Sequence, residues 1–214
     1  MRCLVNMNDL KNTEFVIFDV ETTGLSPVNG DRIVEIAALK IKNLSPVTKF
    51  HSLIDPEREI SAGAFAINGI TREMITGAPK AGEVLPHFLT YIETAVVVAY
   101  NAKFDEGFLS YELSLLNQKL AENIIIIDAL KMARVLLPYL NRYSLWYVAK
   151  SLGIEDEQSH RAMADVQMTW QVFLKLLEIA SRQKINDTQT FVKRFSYNRG
   201  FYQYGKRTLH LEKF

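Results

Sequence analysis

Phe15-Val16-Ile17-Phe18-Asp19-Val20-Glu21-Thr22-Thr23-Gly24 is the stretch on which the reading of this chain turns. Phe15–Val20 is a compact run of aromatic and β-branched residues and reads as a buried strand. Gly24, Pro27, Asn29 and Gly30 then mark a loop and turn. Side chains alternate across a strand, so Asp19 and Glu21 share one face at its end. Two carboxylates there repel each other and lose hydration unless positive charge lies between them. A divalent cation such as Mg²⁺ or Mn²⁺, which prefers carboxylate oxygen, would meet that need. An Asp capping the next turn beside a solvated Glu21 is the plainer alternative.

Outward from this strand, Arg32–Lys42 reads as a second strand and Val47–Ile54 as a third, bounded by Pro46 and Pro56. The short connections imply an antiparallel meander. Residues 55–82 are expected to be irregular, with Gly63, Gly69, Gly77 and Pro79. The pattern then alternates: a helix over Glu83–Glu93, a strand over Ala95–Tyr100, a helix over Phe104–Leu116 and a strand over Ile124–Ile127. The Phe104–Leu116 helix shows Phe104, Phe108, Tyr111 and Leu115 on one face. Asp128 is placed to cap a helix running to Leu137. A short helix follows over Ser144–Leu152, closed by Gly153. The longest helix spans Arg161–Arg182, with Val166, Trp170, Phe173 and Leu177 as its apolar stripe. This order implies an α/β fold with a mixed sheet flanked by helices.

The 214 residues are 48% hydrophobic and 23% charged, which fits a globular chain and excludes a disordered or fibrous one. The longest apolar runs fall far short of the ~20 residues of a membrane span, and residues 1–12 lack the order of a signal peptide. The single Cys3 excludes an intrachain disulfide or a multi-cysteine zinc site. The cytoplasm is therefore the expected compartment. The net charge of +1 conceals an asymmetry: residues 182–214 carry eight Lys/Arg against two acids, so that segment is +6 and residues 1–181 are −5. A basic tail on an acidic body points toward a polyanionic partner.

Two further segments carry chemistry. In Tyr100-Asn101-Ala102-Lys103-Phe104-Asp105 a strand runs into a helix start, and Asp105, alone, is explained by the helix dipole. In His160-Arg161-Ala162-Met163-Ala164-Asp165, Asp165 continues along Thr169, Val172, Phe173 and Leu176, a largely apolar face on which a carboxylate is poorly explained as surface. His160 could merely cap the helix.

Taken together, the three motifs resemble those of the DEDDh-type 3′–5′ exonucleases, the family of the proofreading subunit of bacterial DNA polymerase III, RNase T and oligoribonuclease. The match comprises Asp19-Val20-Glu21-Thr22-Thr23-Gly24-Leu25, Asn101-Ala102-Lys103-Phe104-Asp105 with Phe108-Leu109, and His160-Arg161-Ala162 with Asp165. Lesser likeness lies in Ala66-Ile67-Asn68-Gly69-Ile70-Thr71, Gly77-Ala78-Pro79 and Ser144-Leu145. The resemblance covers about residues 13–181 and implies an exonuclease domain over 1–181, followed by a basic, aromatic-rich extension over 182–214. It implies a ribonuclease-H-like sheet of five strands, three antiparallel and two parallel. It further implies that Asp19, Glu21, Asp105 and Asp165 hold two divalent metal ions, Mg²⁺ or Mn²⁺, with His160 as general base. Two such ions can stabilise the attacking and leaving oxygens of a phosphodiester together, and an imidazole is suited to proton transfer near neutral pH. By the same resemblance Thr22, with Thr23 and the nearby backbone, holds the terminal 3′ hydroxyl. Leu25 wedges against the terminal base, and Asn101 and Phe104 lie at the pocket.

The expected activity is release of nucleoside 5′-monophosphates from single-stranded 3′ ends. DNA is the favoured substrate, RNA ends or short oligoribonucleotides the alternative, and a non-catalytic nucleic-acid or polymerase-binding module the reading of another class. The chain could be a free nuclease or a proofreading subunit for a separate DNA polymerase. Many members of the family carry His where this chain has Tyr100 and Asn68; neither change removes a metal ligand, so an active enzyme is expected. Glu35 lies in a strand near the site and receives no role. In the extension Phe191, Phe195, Tyr197, Phe201, Tyr202, Tyr204 and Phe214 are interleaved with Lys/Arg, as single-strand stacking would require. Packing of these aromatics onto the body, or onto a second copy in a homodimer, is the favoured reading.

Overall fold

In the computed structural model, residues 13–155, 160–185 and 188–199 are described. Five strands form one sheet in the order β3-β2-β1-β4-β5: β1 Phe15–Thr22, β2 Ile33–Lys42, β3 Ser45–Leu53, β4 Val96–Ala99 and β5 Ile126–Asp128. β1, β2 and β3 pair antiparallel, whereas β1–β4 and β4–β5 pair parallel. The helices are α1 Ala62–Asn68, α2 Arg72–Ile75, α3 Ala81–Ile92, α4 Ala102–Leu115, α5 Ala129–Leu136, α6 Leu145–Ser151, α7 Ala162–Arg182 and α8 Thr188–Phe195. The expected mixed sheet of three antiparallel and two parallel strands is the one observed.

Alternation in β1 sorts the core into two layers. Phe15 and Ile17 face Ala37, Leu39 and Ile41 of β2 and pack under α5, α6, α7 and α8. Val16, Phe18 and Val20 face the other way, under α3 and α4. Asp19 and Glu21 continue the odd-numbered set, so both project from the α7 side of the sheet. A buried apolar layer on each face is what forces this register, because a slip by one residue would put the carboxylates into the α3–α4 core.

Three expectations need correction. The stretch 55–82 contains two helices: Ser61 caps α1 by accepting from Ala64 N, and Thr71 caps α2 by accepting from Met74 N. Gly69 closes α1 at φ 65°, a left-handed conformation that suits glycine. β3 begins before Pro46, which a sheet-edge strand tolerates because one side of it has no neighbour to receive the N–H that proline lacks. The α4 stripe is also rotated: Leu115 is exposed, whereas Asp105, Phe108, Leu109, Glu112 and Leu113 are buried. Three buried carboxylates in α4, Asp105, Glu106 and Glu112, explain why apolar periodicity alone misplaces it.

The extension packs as its aromatics suggest, as far as it is described. Phe191 and Phe195 of α8 are buried, with ring centroids 5.0 Å apart. Tyr197 N donates to Ile126 O at 2.8 Å, so the chain covers the outer edge of β5. The Arg199 guanidinium donates to the carbonyls of Ala121, Glu122 and Ile124 at 2.9, 2.8 and 2.9 Å. Phe201, Tyr202, Tyr204 and Phe214 lie outside the described residues.

Candidate active site

The carboxylate ends of β1, the start of α4 and the start of α7 meet at one cleft of about 590 Å³. Its lining includes Asp19, Glu21, Thr22, Leu25, Asn68, Tyr100, Asn101, Phe104, Asp105, His160 and Asp165. Ligand oxygens of Asp19, Glu21 and Asp165 all lie within 4.8 Å of one another. Asp105 of α4 lines the same cleft and acts on Asp19 through its charge, with Oδ1 accepting from Val20 N at 3.1 Å. That bond ties the first turn of α4 to β1.

The turn into α4 has its own sequence logic. Asn101 adopts φ 68° and ψ 55°, a left-handed conformation that Asn accepts at lower cost than bulkier residues. It lets β4 turn at once into a helix and brings Asp105 over β1. On the other side of the cleft, Gly24 is required sterically: a Cβ there would lie 2.4 Å from the Asp31 carboxylate. Thr23 Oγ1 donates to Asp31 Oδ1 at 3.2 Å and accepts from Arg32 N at 3.1 Å. Thr23, expected among the substrate contacts, is thus fully buried and does not line the cleft; its hydroxyl holds the loop closed behind it. Thr22 does line the cleft, with its hydroxyl donating to Gly24 O at 2.5 Å. Leu25 is 79% exposed at the rim, and Phe104 packs its ring 4.9 Å from that of Phe108.

The electrostatics state the problem that the arrangement creates. Burial, followed by the negative charges of Asp105, Asp165, Glu21 and Glu35, pushes the Asp19 carboxyl well above its usual range. Burial and the charges of Asp165 and Glu35 push Glu21 up to about 8, against a hydrogen bond from Asn68. Burial likewise raises Asp105 to about 8, opposed by the Val20 amide. Asp165 rises to about 6 through burial, offset by attraction to His160. Without a cation these groups compete for protons. The donor set is all carboxylate oxygen, with no sulfur, and suits a hard divalent ion such as Mg²⁺ or Mn²⁺. The residues present therefore fit the ion that the sequence implies.

Two residues with no assigned role bear on the site, Asn68 from its lining and Glu35 through its charge. Asn68 is buried, donates from Nδ2 to Thr22 O at 3.2 Å and accepts Ile70 N at 3.0 Å, so it joins α1 to the end of β1. Glu35 is 1% exposed and lies directly across from Glu21 in the β1–β2 ladder. The signal was present in the alternation of β2, where Ile41, Leu39, Ala37 and Glu35 share a face. Tyr100, in a position where His was the comparison, donates its hydroxyl to Tyr143 O at 2.7 Å.

Residues 16–173 match the RNase T family, described as exonuclease. The chain is 38% identical over 179 residues to a PolC-type DNA polymerase III of Oceanobacillus iheyensis, covering 84% of this chain and 12% of that protein. Against the corresponding protein of Bacillus subtilis it is 38% identical over 177 residues, covering 82% and 12%. The chain thus spans about an eighth of the length of the curated relatives it matches. Among solved structures, exonuclease X in complex with 5′-overhanging duplex DNA aligns with a TM-score of 0.64 at 27% identity, covering 83% of this chain and 99% of that one. Escherichia coli exonuclease I in complex with a dT13 oligonucleotide aligns with a TM-score of 0.71 at 20% identity, covering 81% and 43%, a likeness of fold.

Proposed function

The chain belongs to the RNase T family of exonucleases, and on that premise we propose that it hydrolyses the terminal phosphodiester at the 3′ end of single-stranded DNA, releasing nucleoside 5′-monophosphates. The observation that carries this reading is the convergence of Asp19, Glu21 and Asp165 within 4.8 Å beside Asp105 and His160 at one open cleft. A non-catalytic binding module has no use for four mutually repelling carboxylates, which cost stability unless a cation occupies them.

The side chains divide the work by their surroundings. Asp19, Glu21 and Asp165 present oxygens to one point, and Asp105 supplies a further carboxylate from α4. Two divalent ions held there would supply Lewis acidity at the scissile phosphate and offset its negative charge. His160 is exposed at the rim and near enough to Asp165 for attraction between them. In this reading it accepts the proton of the attacking water, and the 3′ oxygen of the shortened strand leaves. Leu25 and Phe104 offer apolar surface to the terminal base, and Thr22 and Asn101 offer polar groups to the terminal sugar.

DNA is favoured over RNA because the relatives at 36–40% identity are DNA polymerases. The same likeness supports association with a DNA polymerase as the cellular setting. Among the described residues no helix is long and apolar enough to cross a membrane. The test is digestion of matched DNA and RNA oligomers, labelled at the 5′ end, with Mg²⁺, Mn²⁺ or EDTA and sizing of products. A ladder shortening by single nucleotides from the 3′ end, abolished by EDTA and faster on DNA, is expected. Release of the label as a mononucleotide at early times would reverse the polarity and overturn the reading.

A further inference from the structure

We propose that Glu35 is a positioning residue for this site: it caps α7 from a neighbouring strand and holds the Arg161 guanidinium away from the carboxylates that would bind the cation. The inference rests on the metal-dependent reading above.

Glu35 is buried, and an unpaired buried carboxylate would be costly. Four donors meet it. Arg161 Nε and Nη2 donate at 3.1 and 2.7 Å, Ala162 N at 3.2 Å and His51 Nε2 lies at 2.7 Å. Together these bonds hold its carboxyl below the ordinary range despite burial. The two residues are 126 positions apart in the chain, so the contact is purely tertiary.

The Ala162 bond has a specific consequence. Arg161 is the N-cap of α7, and its own side chain makes no capping bond. The first amide of the helix is one of the donors a helix cannot satisfy internally. Glu35 satisfies it, and does so with a negative charge at the positive end of the helix dipole. The first turn so fixed contains Asp165, and the residue before the cap is His160. One carboxylate on β2 therefore sets the position of both against Asp19 and Glu21 on β1.

The guanidinium has a second consequence. Glu35 stands across from Glu21, and like charges directly opposite in a sheet repel. Arg161 offsets that repulsion, and its charged form is favoured by Glu21 as well as by Glu35. Without Glu35, the anion left to favour the charged guanidinium is Glu21 of the cation site. Arg161 would then act as an internal counter-ion and compete with the metal.

The test compares the parent chain with Glu35→Gln and with the double variant Glu35→Gln/Arg161→Met. The readouts are Mn²⁺ affinity from the EPR signal of free Mn²⁺, melting temperature in EDTA, and kcat and KM on a labelled oligomer. Glu35→Gln is expected to weaken Mn²⁺ binding about 10-fold and lower kcat at least about 10-fold, with KM within about twofold. The double variant should recover Mn²⁺ affinity, since no guanidinium remains to compete, while kcat stays low because α7 is still uncapped by charge. Parent-like Mn²⁺ affinity and kcat in Glu35→Gln would overturn the proposal, as would a double variant that binds Mn²⁺ no better than the single one. Should Glu35→Gln fail to melt cooperatively, Arg161→Lys serves instead: its single ammonium cannot form the bidentate pair. It should weaken Mn²⁺ binding severalfold, and parent-like values would overturn the proposal. If the parent digests no oligomer yet the Mn²⁺ pattern holds, the clamp stands and the nuclease reading falls.

Discussion

Two buried glutamates in this molecule are held in the same way. Glu112 of α4 accepts Arg32 Nε and Nη2 at 2.7 and 2.8 Å and the next amide, Ile33 N, at 3.1 Å. Glu35 of β2 accepts Arg161 through the same two atoms and the next amide, Ala162 N. Each is 1% exposed and joins a strand to a helix distant in the chain. They differ in what surrounds them. Neither lines the cleft, and Glu112 fastens α4 to the start of β2. Glu35 faces Glu21 and adds to the repulsion that raises Asp19 and Glu21. The same hydrogen-bonding device thus fastens the scaffold in one place and, in the other, sets charge beside the carboxylate cluster.

The comparison can be broken most decisively at the centre of the cluster. Asp19→Asn should lower the exonuclease rate by about 10³-fold or more, some 4 kcal/mol in the barrier. Its melting temperature in EDTA should stay level or rise, because one repelled carboxylate is gone. A fall in melting temperature with activity retained would make Asp19 a structural acid. His160→Ala should cost about 10²-fold in kcat at pH 7.5, within the range for losing a general base, with Mn²⁺ affinity near that of the parent. An unchanged kcat would remove the base assignment.

Glu112→Gln sharpens the contrast from the other side. Loss of one partner of a buried ion pair should cost about 3 kcal/mol in urea unfolding, with Mn²⁺ affinity within about twofold of the parent. If Glu112→Gln weakens Mn²⁺ as much as Glu35→Gln does, the two clamps are not different in kind.

The smallest expected effect is on pH dependence without metal. Glu21 and Asp105 at about 8 and Asp165 at about 6 are acids held more strongly protonated in the folded state than in the unfolded one. Their contribution is full below the usual carboxylate range and is lost as pH rises through about 6 to 8. Glu35 runs the other way: its stabilisation is present above the ordinary carboxylate range and is lost on acidification. In EDTA the melting temperature should therefore decline by a few degrees between about pH 5.5 and 8.5. Saturating Mg²⁺ should flatten that slope, and an identical slope with and without Mg²⁺ would separate the cluster from metal binding.

Periodicity explains what could be read in advance and what could not. The strand at Phe15, the cap at Asp128, which accepts Leu130 N and Lys131 N at 3.0 and 3.3 Å, and the long helix before Arg182 all declare themselves within a few neighbouring residues. So does the shared face of Asp19 and Glu21. The α4 face escapes an apolar pattern because Asp105, Glu106 and Glu112 are buried polar residues, and such a pattern assigns those positions to solvent. Thr23 parts from Thr22 because the ladder shifts register at Glu21/Thr22 and β1 ends at Thr22, so alternation no longer assigns its face.

The amino-acid sequence by itself determined the strand order, the longer helices between and after the strands, the mixed sheet and the acidic residues of three separated motifs, because these depend on local spacing and on residue chemistry. The tertiary structure alone decided that Asp19, Glu21 and Asp165 come within 4.8 Å and that Asp105 stands beside them, tied to β1. It also decided that Glu35 is buried against Arg161. The physical reason is that burial, and the charge one carboxylate feels from another, are set by ladder register and helix docking between residues far apart in the chain.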